Sequence, residues 1–474
     1  MTADSVDLLE QSRLVLTAHP LQRIGAYATA ALAGDTGPEE LPAEDFERAV
    51  QLMTRQAINA ALVRDSKAAH GFWLKTSYSI NPNSPMNHPS NGKKSADSIR
   101  TAIEQWRSLP DPRTWPGVDC VLCGRAAVGF FGKLDVPLAE SDAYRNSTPR
   151  GHAGLALCRP CLVSFHALAY GSHLTGGSCY ALHSWDGRFM RRTVERQVDR
   201  NKMIAETGKV SDSYAAAREV VAFRALRRYG ERLTAGVELL VFNNNNRGQS
   251  LEIHALDQPL AEWLRRTLRP ANRPGFKVLV QAHASARLPG VVALARNAFT
   301  EPSRIVGAVA AHLGRLVALT DRDREQVSSA VGLLYSFVTE VMQMDAKDLA
   351  ELQSTARKVA GLLSVEESGG KLNALRACMR DPRKLRAWLT RHGVRWAMNR
   401  PDKADGPLVS ERAFVLLFDP AQDNPGWFHR DVFLIGVLEE LTRLGWRSKT
   451  AEEDLQELDD STDKEFTEKM EEEQ

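Results

Sequence analysis

The chain has 474 residues, 43% of them hydrophobic and 25% charged, with a formal net charge of +2. That length exceeds one ordinary core and implies two or three domains, and the composition is that of a folded globular protein. No apolar run of about 18 residues occurs, and the opening "MTADSVDLLEQSR" lacks the basic and apolar regions of a secretory signal, so neither a membrane span nor export is expected, and a cytoplasmic protein is.

Residues 4–65 read as two or three helices. In "DFERAVQLMTRQAINAAL", Phe46, Val50, Met53, Ile58 and Leu62 recur at helical spacing. "INPNSPMNHPSNGKK" (80–94) follows. Pro82, Pro85 and Pro89 exclude a long helix there and argue against a strand. This loop reads either as a proline-stiffened recognition element or as a surface connection of Asx-turns. "SADSIRTAIEQWRSL" (95–109) is a further helix, ended by "PDPRTWPG". A cysteine-bearing module occupies 118–180, and 188–206 reads as a highly charged exposed segment. "GVELLVFNNNNRGQSLEIHAL" (236–256) has the pattern of a hairpin, and "FKVLVQAHA" (276–284) reads as another strand. Helical patterns then cover 303–319, 322–343, 346–364, 371–392, 409–418 and 431–446.

The expected fold class is α+β: an N-terminal mixed domain with a zinc-ribbon-like four-cysteine module, then a C-terminal helical bundle. The expected divisions are a helical region with the loop (1–117), the cysteine module (118–180), the rest of the mixed domain (181–295), the bundle (296–450) and an acidic tail without a core of its own (451–474).

Four of the six cysteines form two C-x-x-C pairs, Cys120 with Cys123 and Cys158 with Cys161. Each such turn aims two sulfurs at one point, and two turns complete a tetrahedral thiolate site suited to structural Zn2+. Disulfides or unrelated core cysteines are the competing readings, and a reducing compartment disfavours the first. Cys179 and Cys378 read as buried apolar residues. A closed four-sulfur site leaves no open position for catalysis. The chain has no H-E-x-x-H, no phosphate-binding P-loop motif and no G-x-S-x-G. A binding protein rather than an enzyme is expected. An HNH-like nuclease built around His152 or His166 is the rival, and a zinc-ribbon transcription or repair factor the third reading.

The charge is unevenly placed. Residues 451–474 carry twelve acidic residues and two lysines, so residues 1–450 hold a net charge of +12. Residues 188–232 contain twelve Lys/Arg against six Asp/Glu. Residues 371–403 hold Lys371, Arg376, Arg380, Arg383, Lys384, Arg386, Arg391, Arg395, Arg400 and Lys403 against Asp381 and Asp402, with Trp388 and Trp396 among them. Such a stretch either neutralises phosphates, with tryptophan stacking on unpaired bases, or is a solvated face over tryptophan core anchors.

Taken in order, the "NPNSPMNHPS" loop, "CVLC", "CRPC", the "VFNNNNRGQ" hairpin and a basic helical bundle resemble the CXXC–CXXC family of large subunits of type I-B CRISPR interference (Cascade) complexes. The loop corresponds to the family's N-S-x-x-N-P-like segment and reads Asn83-Ser84-Pro85-Met86-Asn87-His88-Pro89, with His88 before the proline. The resemblance implies a non-enzymatic subunit of a crRNA-bound complex, beside its backbone and guide-end subunits. Such a subunit reads the short motif next to the target in double-stranded DNA (PAM), helps part the strands, holds the displaced strand and recruits a separate helicase-nuclease for antiviral defence. The PAM candidates are Asn83, Ser84, Asn87, Asn91, Lys93 and Lys94, and in the hairpin Asn243, Asn244, Asn245 and Gln249. Arg376, Arg380, Arg383, Lys384, Arg386, Arg391 and Arg395 are the candidates for the displaced strand.

Overall fold

The computed structural model describes residues 9–34, 37–63, 65, 68–82, 84–139, 154–175, 177–208, 217–245, 248–316, 324–365, 369–398, 406–419 and 426–447. His152, Asn83, Arg400, Lys403 and the acidic tail lie outside these residues. The chain forms two compact units, Met1–Gln258 and Pro259–Gln474. The division falls well before the expected 295/296 boundary. The described residues are mostly helical, with two small antiparallel sheets.

The first unit is built around two helices, Pro20–Ala33 and Arg159–Gly171. Proline enters the first turn of each, where its missing N–H costs nothing. The second is buried along its whole length, so both faces must pack. The two backbones meet at Gly25, where a Cβ would lie 1.8 Å from the Ser164 carbonyl oxygen. Only glycine fits that crossing. Helix Ala43–Val63 covers the pair and places Phe46, Val50, Met53 and Ile58 in the core, as its periodicity predicts.

The smaller sheet pairs Gly129–Phe131 (β1) with Leu155–Leu157 (β2). The larger has four antiparallel strands in the order His173–Leu174 (β3), Cys179–Ser184 (β4), Val237–Asn245 (β5) and Gly248–Leu256 (β6). The expected hairpin is present, with Asn243 opposite Ser250 and Asn245 opposite Gly248. Segment 188–206 is not merely exposed. It lies in helix Gly187–Thr207, which Asp186 caps through a bond from Phe189 N (2.9 Å) and Gly208 closes with a left-handed φ of 68°. Its charges line one side, while Phe189, Met190, Val194, Val198 and Ile204 are buried on the other.

In the second unit, "FKVLVQAHA" is helical rather than extended. It forms helix Arg273–Ala282, with Gly275, Val278 and Leu279 facing Arg324–Glu340. The spacing of those three is helical, and the short apolar run obscured it. The pattern over 371–392 is two helices, Gly370–Cys378 and Pro382–Met398. Asp381 and Pro382 are a cap and first-turn signal in the middle of the run: Asp381 Oδ1 accepts from Arg383 N (2.8 Å) and Lys384 N (3.2 Å). Helices Arg304–Leu316, Ala346–Ser364 and Gly426–Arg443 pack together at the centre of this unit. No helix among the described residues is long and apolar enough to cross a membrane.

Candidate metal centre and its neighbourhood

Pairing of β1 with β2 brings the two cysteine turns together. Cys120 and Cys123 stand on a turn before β1. There Gly124 takes a φ of 76°, its N–H donates to the Cys120 carbonyl (2.9 Å), and Cys120 N donates to the Arg125 carbonyl (2.7 Å). Cys158 directly follows β2, and Cys161 lies in the first turn of helix Arg159–Gly171. Val121 N donates to the Ala156 carbonyl (3.0 Å), so the two turns are held by backbone bonds and not by the cysteines alone.

The four sulfurs all lie within 4.8 Å of one another, and Cys123 Sγ is 3.4 Å from Cys158 Sγ. Bond lengths of about 2.3 Å to a tetrahedral metal require sulfurs about 3.8 Å apart, so this set could hold one metal ion. All six cysteines are free thiols, and none forms a disulfide. The helix N-terminus beside Cys158 and Cys161 adds positive potential at the site, which neighbouring sulfurs oppose at these two thiols. Within the cluster, hydrogen bonding to the other three sulfurs drives Cys120 far down. Cys123 sits at about 7, raised by its bond to Cys120 and lowered by those to Cys158 and Cys161. Cys158 and Cys161 are pushed up, with bonds to Cys120 and Cys123 the leading causes. Cys179 is buried in β4, where loss of solvent raises its thiol to about 12.

Gln11 is a further positioning residue. It is fully buried, donates to the Ala126 carbonyl beside the first turn (3.0 Å) and accepts from Arg159 N beside the second (2.8 Å). Nothing in "LLEQSR" signals that role. Arg159 also pairs with Glu47 and so ties the cluster to helix Ala43–Val63.

The loop 80–94 and the hairpin tip meet the insert between the cysteine pairs. Asn244 Nδ2 donates to the carbonyls of Ile80 (2.6 Å) and Lys133 (3.2 Å), and its Oδ1 accepts from Gln249 (2.8 Å). Gln249 also donates to Ala139 O, Lys133 Nζ to Asn245 O, and Asn81 to the carbonyls of Leu134 and Asp135. Amide side chains thus satisfy backbone groups that a sheet or helix would otherwise pair. The placement corrects part of the expected DNA-reading set. Asn244, Ser84 and Asn91 are buried. Asn91 donates to Pro85 O (2.8 Å), and Ser84 donates to Asn87 Oδ1 (3.4 Å). Those three shape the loop and the tip, and Gln249 is committed likewise. Asn87, Asn243 and Asn245 are half-buried, whereas Lys93 and Lys94 are exposed. His88 caps a short 3-10 turn, Pro89–Lys93, accepting from Ser90 N (3.2 Å).

His166 is buried against Asp135 (3.3 Å) and packs with its ring tilted against Trp106, which also donates to Asp135 (2.5 Å). Burial and the nearby Arg107 lower its pKa to about 4, against the opposing pull of Asp135. His166 is therefore a neutral packing residue above about pH 5 rather than an exposed base. The unfolded chain binds this proton more readily, so stability is full above pH 6.5 and falls as the pH drops from 6.5 to 4. The expected loss is about 3 kcal/mol. Comparison of denaturant midpoints with His166→Gln across this window checks it, since the variant lacks this component of the acid sensitivity.

In the second unit, Arg380, Arg383, Lys384, Arg386, Arg391 and Arg395 are exposed and Arg376 is half-buried. Trp388 is buried and stacks with His392 (4.0 Å between ring centroids), so it is a core anchor. Trp396 is half-buried and donates to Gly406 O (3.4 Å).

No protein-family model, curated protein or solved structure matches this chain. Its functional reading therefore rests on its own residues and on the resemblance carried by its motifs.

Proposed function

We propose that this chain is the large subunit of an RNA-guided type I-B CRISPR Cascade complex, and that its four cysteines hold a structural Zn2+. The observation that carries the reading is the junction of loop 80–94, the insert between the cysteine pairs and the hairpin tip. The loop, the hairpin and the cysteine pairs that bracket the insert are stretches on which the resemblance rests, and Asn244 bonds the loop at Ile80 and the insert at Lys133 from within the hairpin. In this reading the zinc module is a rigid base for the loop. Lys93 and Lys94 hold phosphates of the PAM duplex while Asn87, Asn243 and Asn245 approach base edges. The guide RNA reads the long target sequence, and cutting falls to a separate helicase-nuclease.

A binding screen of the assembled complex against a randomised PAM library tests the assignment. Lys93→Ala with Lys94→Ala weakens binding to every library member about equally, and Asn87→Ala relaxes one position at a cost of about 1–3 kcal/mol. Unchanged affinity and preference in all of these variants would reduce the loop to a surface connection.

The exposed cations of Pro382–Met398 hold the displaced single strand in the same reading. Charge reversal at Arg383, Lys384 and Arg386 lowers the salt dependence of R-loop stability by about 0.7 slope units for each phosphate no longer neutralised, and leaves PAM preference intact. An unchanged slope would show that this helix face is only solvated.

A further inference from the structure

The first unit has an arginine-lined cleft that the proposed DNA contacts do not use. It lies between helices Gly187–Thr207 and Arg218–Arg228, over β3 and β4, with a volume of about 260 Å³. Helix Gly187–Thr207 contributes Arg196, Gln197 and Arg200. The facing helix contributes Arg224, Ala225 and Arg228 with the same i, i+1, i+4 spacing. The end of the cleft is formed by His173 and Tyr180, paired across β3 and β4 and stacked at 4.8 Å with an interplanar angle of 10°.

Like charges four residues apart destabilise a helix, and this cleft has two such pairs facing each other. Of the neighbouring carboxylates, Glu195 pairs with Arg191, Glu231 with Arg188 and Arg192, and Glu219 with Arg218, although the charges of Glu195 and Glu219 also reach Arg196 and Tyr180 of the cleft. Among the described residues, no carboxylate forms an ion pair with Arg196 or Arg228. Partial desolvation of the largely exposed Arg196 lowers its pKa, as do the charges of Arg228 and Arg192, against the opposing charge of Glu195. Burial, with Arg200 and Arg224 close by, lowers His173 to about 3, so its ring stays neutral.

We infer that this cleft binds the phosphate group of a nucleotide. Guanidinium groups converging from two helices match the several oxygens of a phosphate, which takes paired N–H donors and neutralises the crowded charge. The volume of about 260 Å³ is on the scale of one nucleotide unit. The phosphate can belong to a nucleic-acid strand or to a free nucleotide, and the site chemistry is the same for both.

The test uses the metal-loaded full chain without guide RNA, titrated with a short single-stranded oligothymidylate and separately with thymidine monophosphate. The variant is R196Q/R228Q, at two exposed positions. The control is R48Q/R113Q, which removes equal charge from exposed arginines of the same unit. The expected result is binding of at least one probe, weakened about tenfold or more in R196Q/R228Q and within about twofold of wild type in the control. Binding of the oligomer alone identifies a strand phosphate as the source, and binding of the monophosphate identifies a free nucleotide. Absence of binding by either probe, or equal losses in variant and control, would overturn the inference. The displaced-strand test reads a different unit, so the two can fail separately.

Discussion

If the four cysteines hold Zn2+ as proposed, replacing Cys158 by serine removes the metal and unfolds the module that the two cysteine turns build. Cys158 is fully buried between β2 and helix Arg159–Gly171, within reach of the other three sulfurs. Three thiolates and a hydroxyl hold a thiophilic metal poorly, and metal binding contributes on the order of 10 kcal/mol to folds of this kind. The backbone bonds Val121–Ala156 and the Gln11 bridge do not offset that loss, because each net hydrogen bond is worth about 1 kcal/mol. Elemental analysis and thermal unfolding of Cys158→Ser check this, with Cys179→Ser as the control that keeps its metal. A Cys158→Ser protein with full metal content and unchanged melting would contradict the assignment.

Asn244→Leu carries the second large effect. The side chain is fully buried and makes three hydrogen bonds, to Ile80 O, to Lys133 O and from Gln249. Leucine fills a similar volume but takes this partner from the buried Ile80 carbonyl and the Lys133 carbonyl, while Gln249 keeps its bond to Ala139 O. The expected destabilisation is about 3 kcal/mol, with metal content retained. Chemical denaturation measures it. The same variant weakens PAM binding of the assembled complex, since loop 80–94 loses its anchor at Ile80. A stability change below about 0.5 kcal/mol would mean that this asparagine is not the tie between loop, insert and hairpin.

The sequence was most legible where chemistry is local. Two C-x-x-C turns need only their own spacing and a glycine at position 124 to be recognised, and the structure brings their four sulfurs together. The Val237–Leu256 hairpin was equally readable, because strand, turn and strand are contiguous. Long-range partners were not legible. Gln11, more than a hundred residues from the groups it joins, has no local signature. Asn91 and Asn244 looked like groove-reading amides because composition does not reveal which carbonyl an amide meets. The apolar run at Val278–Val280 suited strand and helix alike until its partner helix decided. The Asp381–Pro382 break lay inside a run read as one helical pattern, because apolar spacing continues on both sides of it.

Membership of an RNA-guided assembly is tested most directly by the mass and RNA content of the native particle that contains this chain. The expected result is a multi-subunit particle carrying one short RNA, which binds matching double-stranded DNA and leaves cleavage to an added helicase-nuclease. A chain recovered alone and free of RNA, or one that cuts DNA by itself when magnesium or manganese is added, would contradict that membership.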